Sequence, residues 1–133
     1  MLLTACEFHA SENGTLDGFW QVSAMETLAT GQTDDMRESQ MSWGVQGNLL
    51  VVYYDKAVKN REVLFRFRHE NNMLTLFSPY ISNRDLGDIA ITDAMELEEL
   101  GIYNLEETFK VLRLDGNSMV LESGHVRLYF RRY

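Results

Sequence analysis

The strongest periodicity in this chain lies in the stretch Val63-Leu64-Phe65-Arg66-Phe67-Arg68-His69. Val63, Phe65 and Phe67 occupy alternate positions and form an apolar face. The other face, with Leu64, Arg66 and Arg68, is mostly cationic. A repeat of two residues is typical of a β-strand with one buried face, because successive side chains of a strand point to opposite sides of the sheet. The stretch therefore predicts a strand whose Val63, Phe65 and Phe67 face a core.

Similar apolar runs, separated by turn residues, lie on both sides of this strand. Val126, Leu128 and Phe130 share one face of a run near the end of the chain. The pairs Asn71-Asn72 and Asp115-Gly116 stand between runs, and both favour the tight turns of hairpins. The pattern predicts eight strands, at about residues 19–29, 41–46, 49–55, 61–69, 73–78, 106–114, 118–123 and 125–132. Because they follow one another as hairpins, we expect an all-β fold with antiparallel, up-and-down strands.

The composition is that of one globular domain. The chain has 133 residues, of which 45% are hydrophobic and 24% charged, so it is long enough for a single core. Twenty acidic residues against twelve basic ones give a net charge of −8, which opposes nucleic-acid binding because phosphate recognition needs a basic surface. A single cysteine excludes an internal disulfide and a cysteine-based zinc site. No sequence feature predicts a cofactor.

Acidic residues are concentrated in residues 85–107, which hold eight carboxylates and no Lys or Arg. Within this stretch Ala94–Leu100 is rich in helix formers, and Gly101 follows as a residue that often ends helices. We therefore expect one short helix there, preceded by a long loop. Ca²⁺ binding is one interpretation, through Asp85, Asp88 and Asp93. Since their spacing differs from that of an EF-hand loop, we favour a solvated acidic loop and helix without a metal.

Two short motifs at the ends of the predicted sheet resemble a known family. Gly18-Phe19-Trp20 opens the first strand, and Arg131-Arg132 ends the last one. An early Gly-x-Trp and a basic residue on the final strand resemble the lipocalins and the wider calycins, and the strand layout resembles the small lipocalin-like lipoproteins of Bacteroidetes. The resemblance implies an eight-stranded antiparallel barrel with Trp20 at its closed end. Because Arg132 shares the face of Phe130, it rather than Arg131 is predicted to lie over the Trp20 ring.

The chain divides into a tether, residues 1–15, and a lipocalin-like barrel domain, residues 16–133. Within the tether, Leu3-Thr4-Ala5-Cys6 resembles the lipobox of bacterial lipoproteins, in which a signal peptidase cleaves before the cysteine and its thiol is diacylated. The resemblance implies a lipid anchor on Cys6 and a place in the cell envelope, facing the periplasm or the cell surface, with the leader encoded upstream of Met1. The alternative is a free, exposed cysteine in the tail of a cytoplasmic protein.

The predicted binding site is the barrel interior, entered through the loops opposite Trp20 and Arg132. Bulky inward side chains either fill such a lumen as a packed core or line an apolar cavity, and the alternation alone leaves both possibilities open. Our leading hypothesis is non-enzymatic binding of a small hydrophobic or amphipathic molecule. The candidate ligand-binding residues are Trp20, Val22, Phe65, Phe67, Leu128, Phe130 and Arg132.

Catalysis is not expected. The chain contains no nucleophile elbow, no Gly-rich phosphate loop and no His-Glu-x-x-His motif. His69 and His125 fall at strand ends, where a position at the barrel rim is favoured over a catalytic or metal-binding role.

A rival hypothesis comes from Leu49 to Tyr54, which is apolar at every position up to Tyr54. Both faces of such a strand need a cover. If its outer face is open, the protein is a filled barrel that acts as a protein interaction or inhibitory module, or forms a homodimer there.

Overall fold

The computed structural model describes residues 13–54, 62–83 and 85–133. Cys6 and the rest of the predicted lipobox lie outside the described residues, as does the segment 55–61. In the described parts of the chain the strands are β1 (Gly18–Thr27), β2 (Gln32–Asp35), β3 (Ser42–Gln46), β4 (Leu49–Tyr53), β5 (Val63–Glu70), β6 (Met73–Asn83), β7 (Gly87–Ala90), β8 (Glu107–Leu114), β9 (Ser118–Glu122) and β10 (Val126–Arg132). The 3₁₀ helices Gly14–Leu16 and Ala94–Leu100 are also described.

Eight of these strands close into a ring. Their order is β1-β3-β4-β5-β6-β8-β9-β10, and β10 pairs with β1 to complete it. The pairs around the ring are antiparallel. Each of the eight predicted strands supplies one member of the ring, so the predicted eight-stranded antiparallel barrel is confirmed.

Two further strands, β2 and β7, are absent from the sequence-based prediction. β1 pairs with β3 through Gly18 to Gln21 and, farther along the same edge, with β2 through Ala24 to Thr27. β6 repeats this arrangement, with β8 on its first half and β7 on its second half. Every residue of β2 and β7 is exposed, so neither has the apolar alternation by which a strand is identified. The expectation of an unbroken loop before the helix is corrected by β7.

β6 is also longer than predicted, because a bulge carries it past residue 78. The register of β5 with β6 moves from Arg66 opposite Phe77 to Leu64 opposite Tyr80, which leaves one extra residue in β6. Ser78 adopts a positive φ of 52° within this bulge. Proline is confined to strand ends, edges and bulges. Pro79 is therefore compatible with the predicted strand end near residue 78, but in the structure it occupies a bulge within a longer strand.

The barrel interior is filled by side chains from all eight ring strands, which form one continuous hydrophobic core. The predicted inward residues Trp20, Val22, Val63, Phe65, Leu128 and Phe130 are all buried. Phe67 is only half-buried and packs at the edge of this core. Trp43 and Phe109, which the predicted inward set lacks, are fully buried.

The predicted short helix is present at Ala94–Leu100, wound as a 3₁₀ helix. The Asp93 carboxylate accepts a hydrogen bond from Met95 N at 2.9 Å, and Gly101 ends the helix in the left-handed conformation with φ 82°. Leu97, Leu100 and Ile102 are buried in the core. We call residues 91–102, which include this helix, the cap segment. No helix in the described residues has the length and apolar character needed to cross a membrane.

Candidate functional site

One end of the barrel is closed by Trp20 and Arg132. The Arg132 guanidinium carbon lies 4.1 Å from the centre of the Trp20 ring, so the predicted pairing with Arg132 rather than Arg131 is confirmed. The Trp20 indole N–H donates to Leu16 O at 2.9 Å. The guanidinium also donates to three backbone carbonyls, those of Thr15, Asp17 and Gly116. The barrel's own backbone therefore satisfies both side chains, and this end acts as a structural closure.

Gly18 makes this close approach possible. Its φ of +121° lies in a region that L side chains rarely adopt, and a Cβ on Gly18 would stand 2.6 Å from Arg132 Nη1. The glycine of the Gly-x-Trp pattern is thus required both by backbone conformation and by the arginine beside it.

The opposite end, expected to be an open entrance, is covered by the cap segment. Gly101 packs against Met25 and Leu128, which pair on the halves of β1 and β10 away from Trp20. Just beyond the cap segment, Tyr103 stacks on His125 of the β9–β10 turn, with 4.4 Å between the ring centres and 15° between the planes. Access to the interior at this end therefore requires movement of the cap segment.

The cap segment is held chiefly by its buried side chains. In the described residues, Ile91 N donates to Pro79 O of β6. Gly101 N and Ile102 N donate inside the segment itself, to Glu98 O and Leu97 O. Segments with few backbone hydrogen bonds to their surroundings open at lower free-energy cost than strands within a sheet. The cap segment is therefore the part of the wall best suited to open.

Trp43 brings a hydrogen-bond donor, its indole N–H, into the interior. It lies opposite Trp20 on β1 and Val52 on β4, and its ring meets Phe130 edge to face at 4.8 Å between centres and Phe109 at 6.0 Å. The side chain is fully buried. Its indole nitrogen Nε1 has no hydrogen-bond partner among the described residues. A buried donor without an acceptor is destabilising, so Trp43 offers an unused hydrogen bond among packed aromatic rings.

The sequence contained a signal that Trp43 faces the interior, but the apolar residues on both faces of β4 obscured it. The turn Gly47-Asn48 fixes the β3–β4 register, in which Trp43 faces Val52 and Val45 faces Leu50. Because every residue of β4 is apolar or aromatic, its inward face cannot be chosen from alternation alone. Because directly paired residues of neighbouring strands lie on the same face of the sheet, the burial of Leu50 and Val52 places Trp43 on the inward face as well.

The remaining predicted positions lie at the rims. Phe67 and His69 border a shallow, mostly polar groove of about 400 Å³ beside Asn13 and Gly47. His69 and His125 are both exposed, in agreement with the predicted rim positions. No group of three or more His, Cys, Asp or Glu side chains among the described residues is arranged to hold a metal ion.

A second candidate surface, the outer groove, lies on the outside of β1, β3 and β4. It has a volume of about 560 Å³ and a mainly apolar lining. Phe19 is 55% exposed, and its ring lies 6.3 Å from that of Tyr53. A Cβ on Gly44 would stand 2.9 Å from the Phe19 ring, so glycine at this position lets the ring lie close against β3. Its apolar and aromatic lining residues include Phe19, Val45, Leu49, Val51 and Tyr53.

The predicted two-faced character of Leu49 to Tyr54 is visible in this groove. Leu50 and Val52 are buried inside the barrel, whereas Leu49, Val51 and Tyr53 are half-exposed outside it. Partial burial and the nearby charge of Glu62 raise the pKa of the Tyr53 hydroxyl, so Tyr53 is a neutral donor at the groove's edge.

Comparisons with known proteins agree with this architecture. The model of the lipocalin-like domain family matches residues 1–133. Among solved structures, a lipocalin-like protein from Bacteroides uniformis ATCC 8492 is similar, with a TM-score of 0.66 and 18% identity over 90% of this chain and 100% of that one. An uncharacterized protein from Bacteroides eggerthii DSM 20697 has a TM-score of 0.64 and 17% identity, covering 88% of this chain and 98% of that one. A search of curated proteins finds no match.

The similar solved structures establish the fold, and the match to the family model establishes which family the chain is related to. Lipocalin-like folds are generally those of non-enzymatic binding proteins and suggest binding of small hydrophobic molecules. The predicted resemblance to lipocalin-like proteins is confirmed by the family match. The chain belongs to the lipocalin-like domain family.

Proposed function

We propose that this protein binds a small hydrophobic or amphipathic molecule inside its barrel, without catalysing a reaction. The observation that carries this proposal is Trp43 Nε1, a fully buried donor without a partner among the described residues. Leaving such a donor unpaired costs about 1–3 kcal/mol. An acceptor on a bound molecule recovers that free energy, and the surrounding rings supply apolar contact.

In this proposal the ligand enters at the cap end and takes space that the cap segment now fills. Burial of Leu97 and Leu100 contributes about 1.5–3 kcal/mol for each side chain, and opening the cap segment forfeits most of it. A ligand that buries about 300 Å² of apolar surface gains about 7 kcal/mol at about 25 cal/mol per Å². Binding is then favourable but modest, because cap opening and ligand immobilisation offset part of this gain.

Two adjacent valines provide a test with an internal control. Val52 faces Trp43 inside the barrel, and Val51 faces the outer groove. Full-length protein is incubated with a lipid extract and examined by native mass spectrometry against its denatured mass. We expect an adduct of a few hundred daltons on the wild type and on Val51→Phe, and its loss from Val52→Phe, which fills the space beside Trp43.

A wild type that carries no adduct under any extract contradicts the proposal. Retention by Val52→Phe with loss from Val51→Phe moves the binding site to the outer groove. Overpacking costs about 1–3 kcal/mol, so thermal unfolding of both variants shows whether each remains folded. Trp43→Phe serves as a second interior variant if Val52→Phe does not fold.

A second candidate function uses the outer groove as a protein contact. The exposure of Phe19 beside Tyr53 favours it, because an exposed apolar patch often marks an interface. On this view the barrel is filled and acts as an interaction or inhibitory module, or as a homodimer through Leu49 to Tyr54. Light scattering across a concentration series tests the homodimer: a dimer that Val51→Lys disrupts supports it, and a monomer throughout contradicts it.

We also propose that the protein is anchored to a membrane of the cell envelope through a lipid on Cys6. The lipobox-like Leu3-Thr4-Ala5-Cys6 supports this proposal. Expressed with its native upstream sequence, the protein should carry the added mass of diacylglycerol and partition into detergent. A Cys6→Ser variant should lose both properties, and an unmodified wild type contradicts the proposal.

A further inference from the structure

The charge distribution around the interior restricts what a ligand can be. Trp43 provides a neutral donor, and the described interior provides no cation beside it. Every Lys or Arg among the described residues is at least partly exposed. The two that are least exposed are engaged elsewhere: Arg132 with Trp20 and backbone carbonyls, and Arg127 on the outer surface with Glu26 and Glu122.

A buried carboxylate stands on the inward face of β8, near the cap segment. Glu107 is only 5% exposed and accepts hydrogen bonds from Tyr103 N at 2.9 Å and from the Asn104 amide. It alternates along β8 with exposed Thr108 and shares the buried face of Phe109. A ligand entering at this end therefore passes close to a negative charge.

An anionic ligand is disfavoured in such an interior for two reasons. A carboxylate transferred from water into an apolar interior loses its hydration without gaining a cation in return. Repulsion from Glu107 adds to this loss, as does the net charge of −8 carried by the chain. An uncharged oxygen loses far less hydration, and the indole N–H of Trp43 replaces it with one hydrogen bond.

We propose that the interior selects uncharged amphipathic molecules that present one hydrogen-bond acceptor, such as a long-chain ketone or ester, and rejects fatty-acid anions. The acceptor oxygen takes the Trp43 Nε1 hydrogen bond, and the apolar chain occupies the space vacated by the cap segment. This inference rests on the proposed function, because it assumes that the interior binds a ligand.

Four probes that share a ten-carbon chain test the selection: decan-2-one, methyl decanoate, decanoate and decane. Their affinities for the full-length protein are measured at pH 7.5 by tryptophan fluorescence and confirmed by native mass spectrometry. We expect the ketone and the ester to bind about ten-fold more tightly than decane, which corresponds to one buried hydrogen bond. Decanoate should bind at least ten-fold more weakly than the ester.

Variants then assign the selection to Trp43. In Trp43→Phe, followed by mass spectrometry alone, the ketone should lose its preference over decane, because its oxygen is then buried without a donor. Phe130→Leu is the matched control, since it alters the ring that contacts Trp43 but keeps the indole donor. It should change all four affinities by similar factors and keep the ketone preference.

The possible failures are distinguishable. If none of the probes binds the wild type, the proposed function fails, and the inference fails with it. If they bind but decanoate equals the ester, or ketone equals decane, interior binding stands and the selection is overturned. The same holds if the ketone preference survives in folded Trp43→Phe. The wild-type comparison needs no variant, so it decides the matter even where Trp43→Phe does not fold.

Discussion

Replacing Arg132 by alanine should open the closed end of the barrel and destabilise the whole domain. The side chain makes a cation–π contact with Trp20 at 4.1 Å, and such a contact contributes about 0.5–2 kcal/mol. Its bond to the part-buried Asp17 O measures 2.7 Å, and a bond made by a charged group contributes about 1.5–3 kcal/mol. The bonds to Thr15 O and Gly116 O are exposed, where water replaces the arginine at little cost. Arg132→Ala should therefore lose about 3 kcal/mol.

The assay is chemical denaturation with a parallel thermal melt, and the neighbouring arginine is the control. Arg131 is exposed and donates to Gln21 Oε1 at 2.7 Å, so Arg131→Ala should cost less than about 1 kcal/mol. A loss of about 3 kcal/mol lowers the melting temperature of a domain of this size by about 10 °C. A double-mutant cycle of Arg132→Ala with Trp20→Phe should show coupling of about 1 kcal/mol.

Equal losses from Arg131→Ala and Arg132→Ala would refute the reasoning, as would a loss below about 1 kcal/mol from Arg132→Ala. The first result would mean that the net cationic charge of the last strand matters rather than the contact with Trp20. If the double-mutant cycle shows no coupling between Arg132 and Trp20, the stabilisation by Arg132 comes entirely from its hydrogen bonds to backbone carbonyls.

Three further predictions concern the closed end, the cap segment and a turn. Gly18→Ala should cost about 1–3 kcal/mol from its positive φ, and less in the Arg132→Ala background, where its clash with Nη1 is gone; urea unfolding of both measures this. Leu100→Ala should cost about 2–5 kcal/mol and speed hydrogen exchange in residues 91–102; unchanged exchange there would argue against cap opening. The Asp115 carboxylate accepts from Asn117 N, Ser118 N and Arg113 Nε, which holds its pKa well below the usual range. Its stabilisation is therefore present above about pH 4 and lost as the pH falls through the lowered value. Asp115→Asn should melt below the wild type at pH 7, and melts in increasing acid should show the gap closing.

Much of the barrel was predictable because its ring strands obey a simple alternation. The inward positions Val63 and Phe65 are visible in sequence, since Arg66 and Arg68 mark the other face of the strand as the outer one. The same parity argument selected Arg132 over Arg131 as the partner of Trp20, and the structure confirms it at 4.1 Å. In each case a local pattern carries the information, because the pleat of a strand relates neighbouring residues directly.

What the sequence did not reveal depends on contacts between distant segments. β2 and β7 are strands only because β1 and β6 each offer them a free length of edge; their own residues are exposed and carry no apolar pattern. Trp43 lies beside Gly44 in a strand that is buried at four of its five positions, so alternation could not orient it. Its unpartnered nitrogen depends on Phe109 and Phe130, which are far from it in sequence.

The pairing of β1 with β10 has a consequence for how the molecule is made. Asp17 and Arg132, joined by a hydrogen bond, are 115 positions apart in the chain, and contacts at such separation slow folding because a long loop must close first. β1 leaves the ribosome with Trp20 and Val22 exposed, and β10, its neighbour in the ring, is synthesised after all the other ring strands. The inward face of β1 therefore stays open to other chains until β10 has emerged, a period in which exposed apolar strands aggregate most readily.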